Sequence, residues 1–147
     1  MKIAIGSDHA GFKLKEFLIE NLKATGHEVT DCGTYDLTSV DYPDYAQAAA
    51  KLILDGSVER GVLICGTGIG ISIAANKIHG IRAALCHTEF SALMARQHNN
   101  ANVIALGRAV LGDALALSIT NVFLGEPFTH DARHQRRIDK ITGLESD

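Results

Sequence analysis

Gly61-Val-Leu-Ile-Cys65-Gly-Thr-Gly-Ile-Gly70-Ile-Ser-Ile-Ala-Ala-Asn76 is the stretch around which the rest of the chain is organised. Val62 to Ile64 form a short apolar run that reads as a strand buried on both faces. Cys65 falls at its carboxyl end. Gly66, Gly68 and Gly70 follow, and they let the backbone turn sharply and approach a ligand closely. Ile71 to Lys77 is mostly apolar and reads as a helix. Strand, glycine loop and helix start together make an anion site, because free N–H groups and the helix dipole favour negative charge there. The spacing is neither the dinucleotide Gly-x-Gly-x-x-Gly nor a P-loop. A glycine turn after a strand is also compatible with plain packing. Cys65 is open to two readings in the same way, as a buried hydrophobe or as a thiolate held at a helix N-terminus.

Working outward, the same alternation repeats. Lys2 to Ile5 is a first strand ending in Gly6-Ser-Asp-His-Ala-Gly11, and Phe12 to Lys23 a helix stopped by Gly26. His27 to Asp31 is a second strand. Tyr35 to Tyr45 reads as a polar loop holding Pro43, and Tyr45 to Leu54 as an alanine-rich helix. Beyond the glycine loop come a strand over Ile81 to Cys86, a helix over Glu89 to Gln97 and a polar turn, His98-Asn-Asn-Ala-Asn102. Val103 to Leu106 is a fifth strand, closed by Gly107. Gly112 to Leu124 is an apolar helix, and a charged helix over about 131–144 ends the chain. Strict alternation predicts one α/β domain over residues 1–147, a doubly wound parallel sheet of five strands with helices on both faces. Ligands in such folds bind outside the carboxyl ends of the strands, where strand order reverses. The first and third strands are expected to be neighbours, so Asp8, His9 and Cys65 should converge.

Composition narrows the function. The 147 residues are 46% hydrophobic and 21% charged, ordinary for a globular domain. A net charge of −3 argues against nucleic acid as a partner. No apolar run reaches membrane-spanning length, and Met1-Lys2 leads straight into strand-like sequence, so no signal peptide is expected. Cys32, Cys65 and Cys86 make neither a disulfide framework nor a Cys-x-x-Cys zinc pair. A reducing cytoplasm and no metal are the expectation.

Few groups remain for chemistry. Asp8 either caps the following helix or holds a ligand hydroxyl, and His9 is either solvated or a phosphate contact. His98 and Asn99 precede the fifth strand, at the amino edge of the sheet. That is the wrong edge for Cys65 unless a second subunit brings them across. Arg133 and Arg137 are four apart on one helix face. They form either a solvated patch, balanced by Asp131 and Asp139, or a bidentate phosphate clamp. A thiol, imidazoles, an oxyanion-type loop and an arginine clamp suit proton transfer beside a carbonyl in a small phosphorylated molecule.

Those residues carry a family resemblance. The chain resembles ribose-5-phosphate isomerases of type B over nearly its whole length. The resemblance rests on Gly6-Ser-Asp-His-Ala-Gly-Phe12, Asp41-Tyr-Pro43, Cys65 to Lys77, Gly80-Ile-Arg-Ala83, Arg96-Gln-His-Asn99, Asn102-Val103 and Arg133-His-Gln-Arg-Arg137. It implies a Rossmann-like three-layer α/β/α fold and a homodimer, often paired into a dimer of dimers, working without metal or cofactor. The implied reaction interconverts ribose 5-phosphate and ribulose 5-phosphate through a cis-enediol, a step of the pentose phosphate pathway. Carried over, Cys65 is the base between C1 and C2. Gly66, Thr67, Gly68, Ile69 and Gly70 stabilise the enediolate. His98, from the partner subunit, opens the furanose ring, and Asn99 holds a sugar oxygen. Asp8 contacts the ring-closing hydroxyls, while His9, Arg133 and Arg137 grip the phosphate. The family places an arginine two residues after the glycine ending strand five. Here Arg108 stands one residue after Gly107, with Ala109 next, and is the candidate to replace it. Alternatives within the same chemistry are allose 6-phosphate, galactose 6-phosphate or a tetrose phosphate. A non-catalytic sugar-phosphate-binding subunit and a flavodoxin-like nucleotide binder are rivals from other classes.

Overall fold

A computed structural model describes residues 1–146. Five strands run parallel: β1 (Lys2–Ser7), β2 (Glu28–Asp31), β3 (Arg60–Cys65), β4 (Ala83–Leu85) and β5 (Val103–Gly107), in the order β2-β1-β3-β5-β4. Six helices connect or follow them: α1 (Phe12–Ala24), α2 (Tyr42–Leu54), α3 (Ile69–Asn76), α4 (Glu89–Asn99), α5 (Asp113–Gly125) and α6 (Ala132–Gly143). Successive residues of a strand face opposite sides, so each strand feeds two cores. Ile3, Ile5, Val62, Ile64, Ile104 and Leu106 pack with α1, α4 and α5. Ala4, Leu63, Cys65, Val103 and Ala105 pack with α2 and α3. This is the three-layer α/β architecture that the alternation predicts.

The winding sets the site. From β1 the chain moves outward to β2 with α1 on one face. It returns through α2 on the other face to β3, and proceeds to β4 and β5. Strand order therefore reverses between β1 and β3, whose registers pair Gly6 with Leu63 and Ser7 with Ile64. The crevice outside that pair of carboxyl ends is the place for a ligand.

Three of the boundaries that differ from the sequence reading have a visible cause. Helix α2 begins at Tyr42 rather than Tyr45, because Pro43 sits in its first turn, where a missing N–H costs nothing. Strand β4 is shortened to Ala83–Leu85. Asn76 replaces a strand neighbour there: its amide donates to the Ala83 carbonyl at 2.9 Å and accepts the Ala83 N–H at 2.8 Å. Helix α4 runs through His98 and Asn99, which the sequence placed in a polar turn. Its end is closed by distant side chains. Arg82 donates to the carbonyls of Asn99 and Asn100, and Arg96 to the Asn100 side chain, while Asn100 adopts a left-handed conformation.

Candidate active site

Cys65 ends β3 with its sulfur turned toward the α2–α3 side, and it is 4% exposed. The next residues fold back over it. Gly68 takes φ +76°, and its N–H donates to Cys65 Sγ at 3.1 Å. A side chain at Gly68 would meet Leu85 Cδ1 at 2.5 Å and the Leu106 carbonyl carbon at 2.9 Å. Glycine is thus required there by conformation and by space. From behind, Arg108 N donates to the Cys65 carbonyl and Ala109 N to the Gly66 carbonyl, at 2.9 and 2.8 Å. Helix α3 starts two residues earlier than its apolar run, at Ile69, so its first turn, Gly70 included, directly follows the loop that folds over Cys65. Thr67 and Ile69 are exposed at the loop tip, and Thr67 Oγ1 accepts the Ile69 N–H. An amide aimed at sulfur and an adjoining helix N-terminus both stabilise negative charge.

The β1–α1 loop forms the facing wall. Asp8 is buried, its backbone N–H donates to the Ile64 carbonyl, and its Oδ1 accepts the Gly11 N–H at 3.1 Å. It shapes its own loop, while Gly11, the residue before α1, provides no side-chain cap. His9 Nδ1 accepts the Val40 N–H at 3.1 Å. That contact sets the tautomer of the neutral ring, leaving the proton on Nε2. Asp8, His9, Val40, Tyr42 and Asp44 line a cavity of about 570 Å³. Tyr42 has a role that the sequence reading missed. Its hydroxyl would lie 2.6 Å from a Cβ at Gly70, so the phenol rests on the glycine at the head of α3. The signal lies in Asp41-Tyr-Pro43, a polar stretch that reads equally as loop.

The other candidates lie elsewhere. His98 and Asn99 occupy the last turn of α4, at the amino edge of the sheet. His98 is half-buried and Asn99 exposed. The His98 ring stacks on His134 of α6, with centroids 4.2 Å apart and planes 18° from parallel. Burial, and then the charges of His98, Arg133 and Arg137, pull His134 below the usual imidazole range, with Asp131 opposing. His134 is a second residue that the sequence reading left without a role. Arg133 and Arg137 are exposed on α6; Asp131 caps the helix and lies 3.6 Å from Arg133 Nε. Arg108 is on the Cys65 edge, but its guanidinium pairs with Asp113 at 3.1 Å. Within one chain, then, Asp8, His9, Cys65 and the 66–70 loop come together. His98, Asn99, Arg133 and Arg137 form a separate group at the opposite edge. Among the described residues no cluster of three or more His, Cys, Asp or Glu is placed to hold a metal, and no helix is long and apolar enough to cross a membrane.

Comparison with known proteins gives this geometry a family. A model described as Ribose/Galactose Isomerase matches residues 3–141. Ribose-5-phosphate isomerase B of Escherichia coli (strain K12) is 48% identical over 144 residues, covering 98% of this chain and 96% of that protein. A solved structure of ribose-5-phosphate isomerase B from Clostridium thermocellum superposes with a TM-score of 0.96 at 50% identity, covering 99% of this chain and 97% of the other. The type B ribose 5-phosphate isomerase of Trypanosoma brucei gives 0.94 at 45% identity, covering 98% of each chain.

Proposed function

Because the chain belongs to the ribose/galactose isomerase family, we propose that it interconverts ribose 5-phosphate and ribulose 5-phosphate, and that two copies build each site. The observation that carries the reading is the Cys65 sulfur under the Gly68 amide, at the carboxyl end of β3 beside the end of β1 that leads into Asp8. The reaction needs a base between two carbons and a cradle for the oxygen charge that develops. With the ring open, a Cys65 thiolate takes the proton from C2. The electron pair moves into the C1–C2 bond, and the C1 oxygen collects the charge in front of the α3 first-turn amides. The same sulfur returns the proton to C1, while the hydroxyl proton passes from the C2 oxygen to the C1 oxygen. Atoms balance without a redox partner.

Ring opening asks for an acid at the ring oxygen, and His98 is the imidazole assigned to it. Its place at the far edge of its own sheet is what favours a partner copy, whose crevice would receive His98, Asn99 and the α6 arginines. His9, through Nε2–H, and Arg133 with Arg137 then hold the phosphate, and Asp8 holds a hydroxyl through Oδ2. The Arg108–Asp113 pair favours a second reading, a related aldose phosphate of different length, since that guanidinium already has a partner within the chain. The three free cysteines fit a reducing cytoplasm. Isomerisation of ribose 5-phosphate by the purified protein is the test. Cys65→Ala should lower kcat about 10²- to 10⁴-fold while sugar-phosphate binding, measured by calorimetry, persists. Undiminished turnover in that variant removes Cys65 from the role of base.

A further inference from the structure

The α6 helix carries the arginine pair and packs on α4, where His134 meets His98. His134 and Ile138 form its inward stripe, 6% and 5% exposed, at the four-residue spacing of a helix face. Arg133 and Arg137 flank that stripe and point to solvent. His134 lies flat on the His98 ring. A second tie enters from the preceding loop, where Thr129 Oγ1 donates to the Gln97 carbonyl at 2.9 Å, one residue before His98. Aromatic rings in contact favour particular stacked geometries, so the pair has a preferred relative placement. His98 is thereby held at the end of its helix with one ring face covered by His134.

We propose that His134 is a positioning residue that sets the sugar length, holding the ring-opening imidazole of His98 at a fixed distance from the Arg133–Arg137 phosphate clamp. The inference rests on the isomerase reading above. A sugar is gripped at two ends, at its ring oxygen and at its phosphate. If both grips belong to one rigid unit, a five-carbon phosphate fits and a six-carbon one overshoots by a bond length. Loosening the stack lets α6 retreat, which costs the short substrate its alignment and relieves the long one. His134 touches neither end of the substrate in this scheme and acts through His98.

The test compares His134→Ala with His134→Phe, which keeps a flat ring, on ribose 5-phosphate and on a six-carbon aldose 6-phosphate. Where turnover of the long substrate is too slow, its inhibition constant replaces kcat/KM. His134→Ala should lower kcat on ribose 5-phosphate about 10- to 100-fold, the scale of a misplacement near 1 Å, with a smaller loss or a gain on the six-carbon sugar. His134→Phe should keep the wild-type preference. Equal losses on both sugars in His134→Ala, an unchanged preference, or a His134→Phe variant as impaired as the alanine would each overturn the proposal. The ligand-free protein supplies an independent arm. The His98 ring protons should carry an upfield ring-current shift that disappears in His134→Ala, and its absence from the wild type overturns the stack. If no aldose phosphate turns over while that shift is intact, the isomerase reading has failed rather than the stacking.

Discussion

At the carboxyl edge, the groups around Cys65 and Asp8 are backbone amides and short side chains fixed by strand ends. At the amino edge, they are long side chains on the ends of helices. Cys65, Asp8 and the glycine loop inherit their positions from the β1–β3 ladder, and little can shift without breaking sheet hydrogen bonds. His98 and Asn99 owe theirs to side-chain contacts: Arg82 and Arg96 closing α4, and His134 lying on the His98 ring. One edge is rigid by construction, whereas the other has to be held. An oxyanion cradle profits from the first arrangement, because preorganised dipoles need no reorganisation during reaction. A group that must reach into another molecule's crevice suits the second.

The largest effect that would break this contrast is a mixing experiment. Cys65→Ala and His98→Asn variants are each expected to be nearly inactive on cyclic substrate. If each site takes Cys65 from one copy and His98 from its partner, a mixed dimer has one site with both groups and one with neither. Random reassortment into dimers should then restore about a quarter of wild-type activity. No recovery after verified subunit exchange would mean that both edges serve sites within single chains, and the proposed division of labour would fall.

A smaller effect tests the rigidity of the carboxyl edge. Gly68→Ala forces a side chain into the left-handed region and against the backbone of Leu106 and Gly107. It should destabilise the fold by about 1–3 kcal/mol, the range for strain at a special backbone position, visible as a lower denaturation midpoint. Activity should fall further than stability explains, because the displaced amide is the one on Cys65. Normal stability and normal kcat would show that the loop yields, and that the contrast between the edges is overstated.

How far the sequence could be read follows the same division. The strands, the glycine loop and the convergence of Asp8 with Cys65 were legible because apolar runs and glycines are local signals, and parallel winding then dictates the neighbours. The end of α4 was not legible. His98-Asn-Asn-Ala-Asn102 is polar enough to read as a turn, and the guanidinium that extends the helix comes from Arg82, 17 residues from Asn99 along the chain. The start of α2 was not legible because a proline amid polar residues is the mark of a loop as much as of a helix's first turn. Tyr42 and His134 went without roles for one reason: each is defined by what it touches across space, Gly70 in one case and His98 in the other.

Arg82 offers the finest probe of the held edge. Its guanidinium is half-buried, and burial lowers its pKa from the usual arginine range, with Glu145 opposing. Neighbouring Arg96 is brought down to about 10, chiefly by burial and then by the charges of Arg60 and Arg82. Both stay protonated at neutral pH, so the carbonyls at the end of α4 are capped by cations, the sign that a helix C-terminus favours. Arg82→Gln removes one cap and leaves Arg96 in place. The expected cost is about 1 kcal/mol of stability, with kcat reduced on cyclic ribose 5-phosphate and nearly preserved on an open-chain analogue, since only ring opening uses His98. If both forms of substrate lose rate equally, the last turn of α4 does not depend on its cap for alignment, and the amino edge is as self-sufficient as the carboxyl edge.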